Sequence, residues 1–127
     1  MPAAKQGDRV VAVDTHAVVL PGGVVAPLPH PFAGQLDGGL SSNVNIMGKP
    51  AATVGSTATN TPAHFPTPPG LAFQSPPSNR ATVRLGSRKV KINGRAAARV
   101  GDRADTCNDP ADLPAGEVVA VGTVMIG

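Results

Sequence analysis

The sequence predicts a small, mainly β domain built from repeated β-hairpins in a pseudo-threefold arrangement, with long Pro/Gly-rich loops between them. Three observations carry this. A six-residue motif recurs without gaps as Pro2-Ala3-Ala4-Lys5-Gln6-Gly7, Pro50-Ala51-Ala52-Thr53-Val54-Gly55 and Ala96-Ala97-Ala98-Arg99-Val100-Gly101, at offsets of 48 and 46 residues. Apolar residues around the third copy alternate with period two and are broken by Asn93-Gly94, the strongest short hairpin signal. The 127 residues include 15 Gly and 14 Pro, too many for a helical bundle, and no Trp or Tyr. The core is therefore expected to be Val, Ile, Leu and Ala, which pack well as thin β layers.

Taken in order, Val10 to Val13 reads as a first strand. Residues 21–39, with Leu28-Pro29-His30-Pro31-Phe32, read as a loop. Val44-Asn45-Ile46-Met47-Gly48-Lys49 reads as a strand and turn leading into the second motif. Residues 62–79 hold six prolines and read as stiff, extended chain. Strands are expected near 81–85, 89–92 and 96–100, and again across Val118 to Val124. The spacing of Arg80, Arg84 and Arg88, and of Lys91, Arg95, Arg99 and Arg103, would suit one helix face, but Gly86-Ser87 and Asn93-Gly94 interrupt it. From 44 to 60 against 90 to 106, eight of seventeen positions are identical, so these are two copies of one unit. No composition shift marks a boundary, and residues 1–127 are expected to form one domain.

Composition narrows the function classes. One cysteine cannot form an internal disulfide, so there is no sign of folding in an oxidising compartment. No stretch reaches the ~20 apolar residues of a membrane helix. Met1 to Asp8 lacks a hydrophobic signal region, which implies synthesis in the cytoplasm and, if exported, a route without a cleaved signal. The net charge is +3, and eight of eleven Lys/Arg lie between Arg80 and Arg103. Without Tyr or Trp to stack bases, this suits a partner-facing patch better than nucleic acid. A core this poor in large side chains is expected to need a staple, such as a metal or a partner surface.

The chemistry sits in His16, His30, His64 and Cys107, the complete histidine and cysteine inventory. Nine residues after each motif's glycine come His16, His64 and Pro110, with Cys107 three residues before Pro110. Related lobes thus deliver two imidazoles and a thiol to similar ends. Three imidazoles and a thiolate make a tetrahedral set for Zn²⁺, with Fe²⁺ as the alternative, and a thiolate disfavours hard ions. His30 lies outside the repeat register, bracketed by prolines. Four protein ligands leave no open position, so the site is expected to be structural. A nucleophilic set (His64, Cys107, Asp105 or Asp109) is conceivable, but no nucleophile motif, phosphate loop or HExxH helix accompanies it, and no enzyme is expected.

These residues resemble the PAAR-repeat family, whose repeat reads strand, Asn-Gly, Lys/Arg, Pro-Ala-Ala-Arg, Val-Gly-Asp. Val90 to Asp102 is similar to it throughout. Val44 to Gly55 follows it with Thr53 for Arg and Ser56 for Asp, and Pro2 to Asp8 matches its second half. The resemblance implies a small β-rich cone with a zinc near its apex, held by His16, His30, His64 and Cys107. It implies a tip that caps the trimeric β-helical spike of type VI secretion or a related contractile injection machine, one copy per trimer. The tip would assemble in the cytoplasm and be delivered outside or into a target cell. It would puncture the target membrane in transient contact, with effector cargo as a further partner. Ending at Gly127 after one repeat-based domain, the chain reads as a tip without its own toxin. The competing readings are a metal-free adaptor that binds an acidic partner through Arg80 to Arg103, and a small metal-dependent hydrolase.

Overall fold

A computed structural model describes residues 1–127, and it contains strands and turns but no helix. The long strands are β1 (Arg9–Val19) and β2 (Val25–Gly38), which pair antiparallel from Arg9↔Gln35 to Val19↔Val25. β5 (Thr57–Asn60), β7 (Arg80–Val83), β10 (Arg103–Thr106) and β11 (Leu113–Val119) complete the wall. Pairing runs β11-β10-β7-β5-β2-β1, and β11 pairs back onto β1 at Val10↔Val118. Six strands therefore close a barrel at the level where β11 meets β1. The two-residue strand β6 (Ala72–Phe73) lies along the far end of β1.

Two short hairpins hang from one end: β3 (Asn45–Ile46) with β4 (Lys49–Pro50), and β8 (Lys91–Ile92) with β9 (Arg95–Ala96). Their turn residues Met47, Gly48, Asn93 and Gly94 all have positive φ, at 52°, 80°, 53° and 80°. That is the paired left-handed geometry of a two-residue hairpin turn, in which Asn-Gly is at ease and Met is not. The mainly β, hairpin-repeat architecture expected from the sequence is what the chain adopts.

The pseudo-threefold axis is written in backbone hydrogen bonds. The Ala4 N–H donates to the Ala98 carbonyl (2.9 Å), Ala52 to Ala4 (3.0 Å) and Ala98 to Ala52 (3.0 Å), a closed ring of three. All three alanines are fully buried. Only a methyl fits where three backbones approach this closely. In each lobe the residue after the motif glycine caps the turn: Asp8, Ser56 and Asp102 accept from the N–H of Lys5, Thr53 and Arg99.

The third hairpin is split between the chain ends. Ala51 and Ala97 donate to the carbonyls of Val44 and Val90 within their lobes, and Ala3 donates to Val124 in the same way. Ile126 joins Ile46 and Ile92 in a small apolar cluster beneath the ring. Val124-Met125-Ile126 thus supplies the strand that the Pro2 to Asp8 half-repeat lacks. The main core, with Val10, Phe32, Leu36, Val83 and Val118, fills the barrel above the ring.

Three expectations need correction. The strand expected over 96–100 is only the end of β9 at Ala96, followed by isolated bridges at Ala97 and Arg99. Residues 25–38 form a long strand, not a loop. Pro27, Pro29 and Pro31 alternate with His30 and Phe32, so the prolines face outward and their missing N–H groups lie on the side away from β1. β5 joins that side only from Gly34, which leaves the proline stretch unpaired there. The last barrel strand ends at Val119, because 120–126 leaves the wall to complete the split lobe.

Candidate metal centre

β1 rises from the alanine ring with alternate residues turned inward, Val10, Asp14, His16 and Val18 all being buried. At ~3.3 Å per residue, His16 lies roughly 25 Å up the strand from Asp8. Opposite it, β2 turns His30 inward, with Asp14 and His30 as direct cross-strand partners. His64 follows β5 on a turn fixed by two asparagines. Asn60 accepts from the Ala33 N–H (2.9 Å), and Asn79 accepts from the His64 N–H (2.7 Å). Cys107 directly follows β10, and the next two residues are tied to β1: Asn108 accepts from the Thr15 N–H (2.6 Å) and Asp109 from the Ala17 N–H (2.8 Å).

The four residues expected from the sequence meet here. The His16 ring lies 5.5 Å from His30 and 5.1 Å from His64, and His30 lies 5.6 Å from His64, centre to centre. Phe73 of β6 covers His16 and His30 at 5.7 and 5.2 Å. The donor atoms that converge most closely belong to Asp14, His16, His64 and Cys107, all within 4.8 Å of one another. Around an ion with bonds of ~2.0–2.3 Å, tetrahedral donors lie roughly 3.3–3.8 Å apart, so a small contraction would close the set.

The individual side chains show what the centre lacks. Neither ring nitrogen of His16 makes a well-formed hydrogen bond; Nδ1 lies 3.4 Å from the Asp109 carboxylate, and Nε2 has no partner at all. An unpartnered buried acceptor costs about 1–3 kcal/mol, and a cation at Nε2 would satisfy it while Nδ1–H faces Asp109. His64 accepts from the Asn60 amide at Nδ1 (3.2 Å) and donates from Nε2 to Asp14 (2.9 Å). His30 is already engaged on both sides, donating from Nδ1 to the Leu28 carbonyl (2.9 Å) and accepting the Thr67 N–H at Nε2 (3.1 Å). Burial lowers the His30 pKa, and the Leu28 carbonyl only partly offsets it; a metal at Nε2 would have to displace the Thr67 N–H. Burial, helped by the Asp14 carboxylate, pushes the Cys107 thiol up to about 11. A metal would have to displace that proton. This chemistry fits a soft or borderline divalent ion.

Asp14 was not legible as a site residue. It is fully buried, accepts from Thr106 Oγ1 (2.6 Å), and touches Cys107 Sγ (3.5 Å). The one sequence signal is its place two residues before His16 on a strand, which puts both on the same face.

A proline-walled hollow of about 440 Å³ opens beside His30 and His64. No helix is long and apolar enough to cross a membrane. Comparison with curated proteins and with solved structures gives no match. The family model described as PAAR motif matches residues 13–110, spanning the second and third motif copies and His16, His30, His64 and Cys107. With most of its length so matched, and with three lobes closed about one axis, the chain belongs to the PAAR motif family.

Proposed function

We propose that this protein is a structural, metal-stabilised tip that caps the trimeric β-helical spike of a contractile injection machine, one copy per trimer, and leads it through the target envelope. Residues 1–127 act as one domain, assembled on the spike in the producing cell and delivered with it. The family supports the spike-tip role and association with a spike. The observation that carries the finer reading is the ring of hydrogen bonds joining Ala4, Ala52 and Ala98. One chain with three near-equivalent lobes offers each chain of a trimer a similar surface. The metal centre lies at the other end of the barrel, away from that contact.

His16, His30, His64 and Cys107 would hold the ion, Zn²⁺ before Fe²⁺, with Asp14 beside them as buried counter-charge. The metal supplies cohesion: it ties β1, β2, the turn after β5 and the end of β10 into one apex. Four protein donors leave no position for substrate, which speaks against catalysis. The test is a complex reconstituted from the purified chain and the trimeric spike protein of its own host. One copy per trimer and about one metal per chain are expected. Three copies per trimer, or contact through the histidine end, would overturn the orientation. Asp14→Asn and His30→Ala distinguish the fourth donor, since only loss of a ligand lowers metal content.

A further inference from the structure

The three lobes leave grooves between them at the spike-facing end, and two of these grooves are built alike. Between the first and second lobes a groove of about 470 Å³ is lined by Lys5, Gln6, Asp8, Met47, Lys49 and Val121. Between the second and third, one of about 170 Å³ is lined by Leu40, Ser41, Thr53, Ile92, Asn93 and Arg95. Repeat alignment makes Met47 equivalent to Asn93, and Lys49 equivalent to Arg95. Both cations lean over the turn glycine of the neighbouring lobe. Lys49 Nζ is 3.7 Å from where a Cβ on Gly7 would stand, and Arg95 Nη1 is 2.9 Å from the same point on Gly55.

Nothing in the chain neutralises these two cations. Both are exposed, and neither takes part in an ion pair. No Asp or Glu occurs from Gly38 to Gly101. Two of the carboxylates at this end are spent internally, Asp8 on Lys5 (3.1 Å) and Asp102 on Arg99 (3.1 Å), while Glu117 lies against the third turn glycine, 3.9 Å from where a Cβ on Gly101 would stand. In the second lobe the capping position is Ser56, so its groove contains no carboxylate. Arg88, Lys89 and Lys91 add further exposed positive charge on the third lobe, and Met47 and Met125 are exposed as well. Methionine adapts its shape to a partner better than a branched side chain does.

We propose that the two grooves each seat a carboxylate-bearing segment at the end of the trimeric spike, with Lys49 and Arg95 as the recognising cations. This rests on the tip reading above and adds the chemistry of the contact to it. Over the third turn glycine, Gly101, the nearest side chain is the Glu117 carboxylate instead of a cation, so the two cationic grooves have no third equivalent and two of the three spike chains are held this way. Charge placed this way orients the encounter and rejects neutral or basic partners. Exposed pairs of this kind are screened by salt.

The test measures binding of the full chain to the trimeric spike protein of its own host in 50 mM and 500 mM NaCl. The dissociation constant should rise at least tenfold with salt. Lys49→Glu and Arg95→Glu should each weaken binding about tenfold at low salt, and together roughly a hundredfold. Arg80→Glu, on the barrel wall at the histidine end, should change it less than twofold. Metal content and melting temperature confirm that each variant folds. If Arg95→Glu does not fold, Arg95→Gln and the salt series on the unaltered chain still decide. Tight binding indifferent to salt and to both charge reversals would overturn this inference and leave the tip reading standing. No binding by the unaltered chain would overturn both. Equal affinity for the spike and for anionic vesicles or duplex DNA would show a nonspecific polyanion patch, and the inference would fall.

Discussion

Replacing Ala52 by Val tests the ring of three directly. Ala52 is fully buried, its N–H donates to Ala4 (3.0 Å), and its carbonyl accepts from Ala98 (3.0 Å). Two added methyl groups have no space unless a neighbouring lobe backs away, and backing away lengthens a ring hydrogen bond. Overpacking alone costs about 1–3 kcal/mol. Loss of one buried backbone hydrogen bond adds about 1 kcal/mol. The sum is about 2–4 kcal/mol, which for a chain of this size lowers the melting temperature by roughly 6–20 °C. Thermal unfolding followed by far-ultraviolet circular dichroism reads this. Ala4→Val and Ala98→Val should cost similar amounts, because the three positions are equivalent, while Ala111→Val in an exposed loop should stay within about 0.5 kcal/mol. An Ala52→Val protein that melts with the unaltered chain, or three ring variants with widely different costs, would refute the argument.

Cys107→Ser should lower metal content and thermal stability together, since ligand binding and folding are linked; elemental analysis beside a melting curve checks it, and unchanged stoichiometry would remove Cys107 from the site. The metal-free protein should lose stability at both pH extremes. Folding lowers the His30 pKa below its ordinary 6.5, so that contribution is present above pH 6.5 and is lost as pH falls through the depressed value. Folding raises the Cys107 pKa from 9.0 to about 11, so its contribution is present below pH 9 and is lost as pH climbs through about 11. Denaturant titrations across pH, with His30→Asn flattening the acid limb, measure both. Val124→Asp should weaken spike binding with metal content largely kept; a loss of metal equal to the loss of binding would mean that the split lobe, not the contact, had failed.

The candidates for the cluster could be named because histidine and cysteine are rare in this chain. With three histidines and one cysteine in the chain, and two of the histidines in repeat register, the sequence could name the candidates for one cluster before any coordinates. Asp14 escaped because a carboxylate is common, and nothing local distinguishes a buried one. Its burial depends on Thr106 and Asn108, ninety-odd residues away. The engagement of His30 by Leu28 and Thr67 was likewise invisible.

The repeat, the hairpin turns at Met47-Gly48 and Asn93-Gly94, and the absence of helix were settled by local sequence, because backbone sterics and period-two burial act within a few residues. Residues 25–38 were not. Proline in a strand reads as a loop until it is known which side of the strand has a neighbour, and that is set by where β5 stops pairing. The completion of the third lobe by Val124-Met125-Ile126 was also decided only in three dimensions. The apolar alternation of that segment fits any buried strand, and only closure of the barrel through β11 and β1 brings the chain ends together, so that Ala3 can donate to Val124. Local chemistry chose the hairpins; the number of them, three around one axis, followed from which distant backbone groups could satisfy one another.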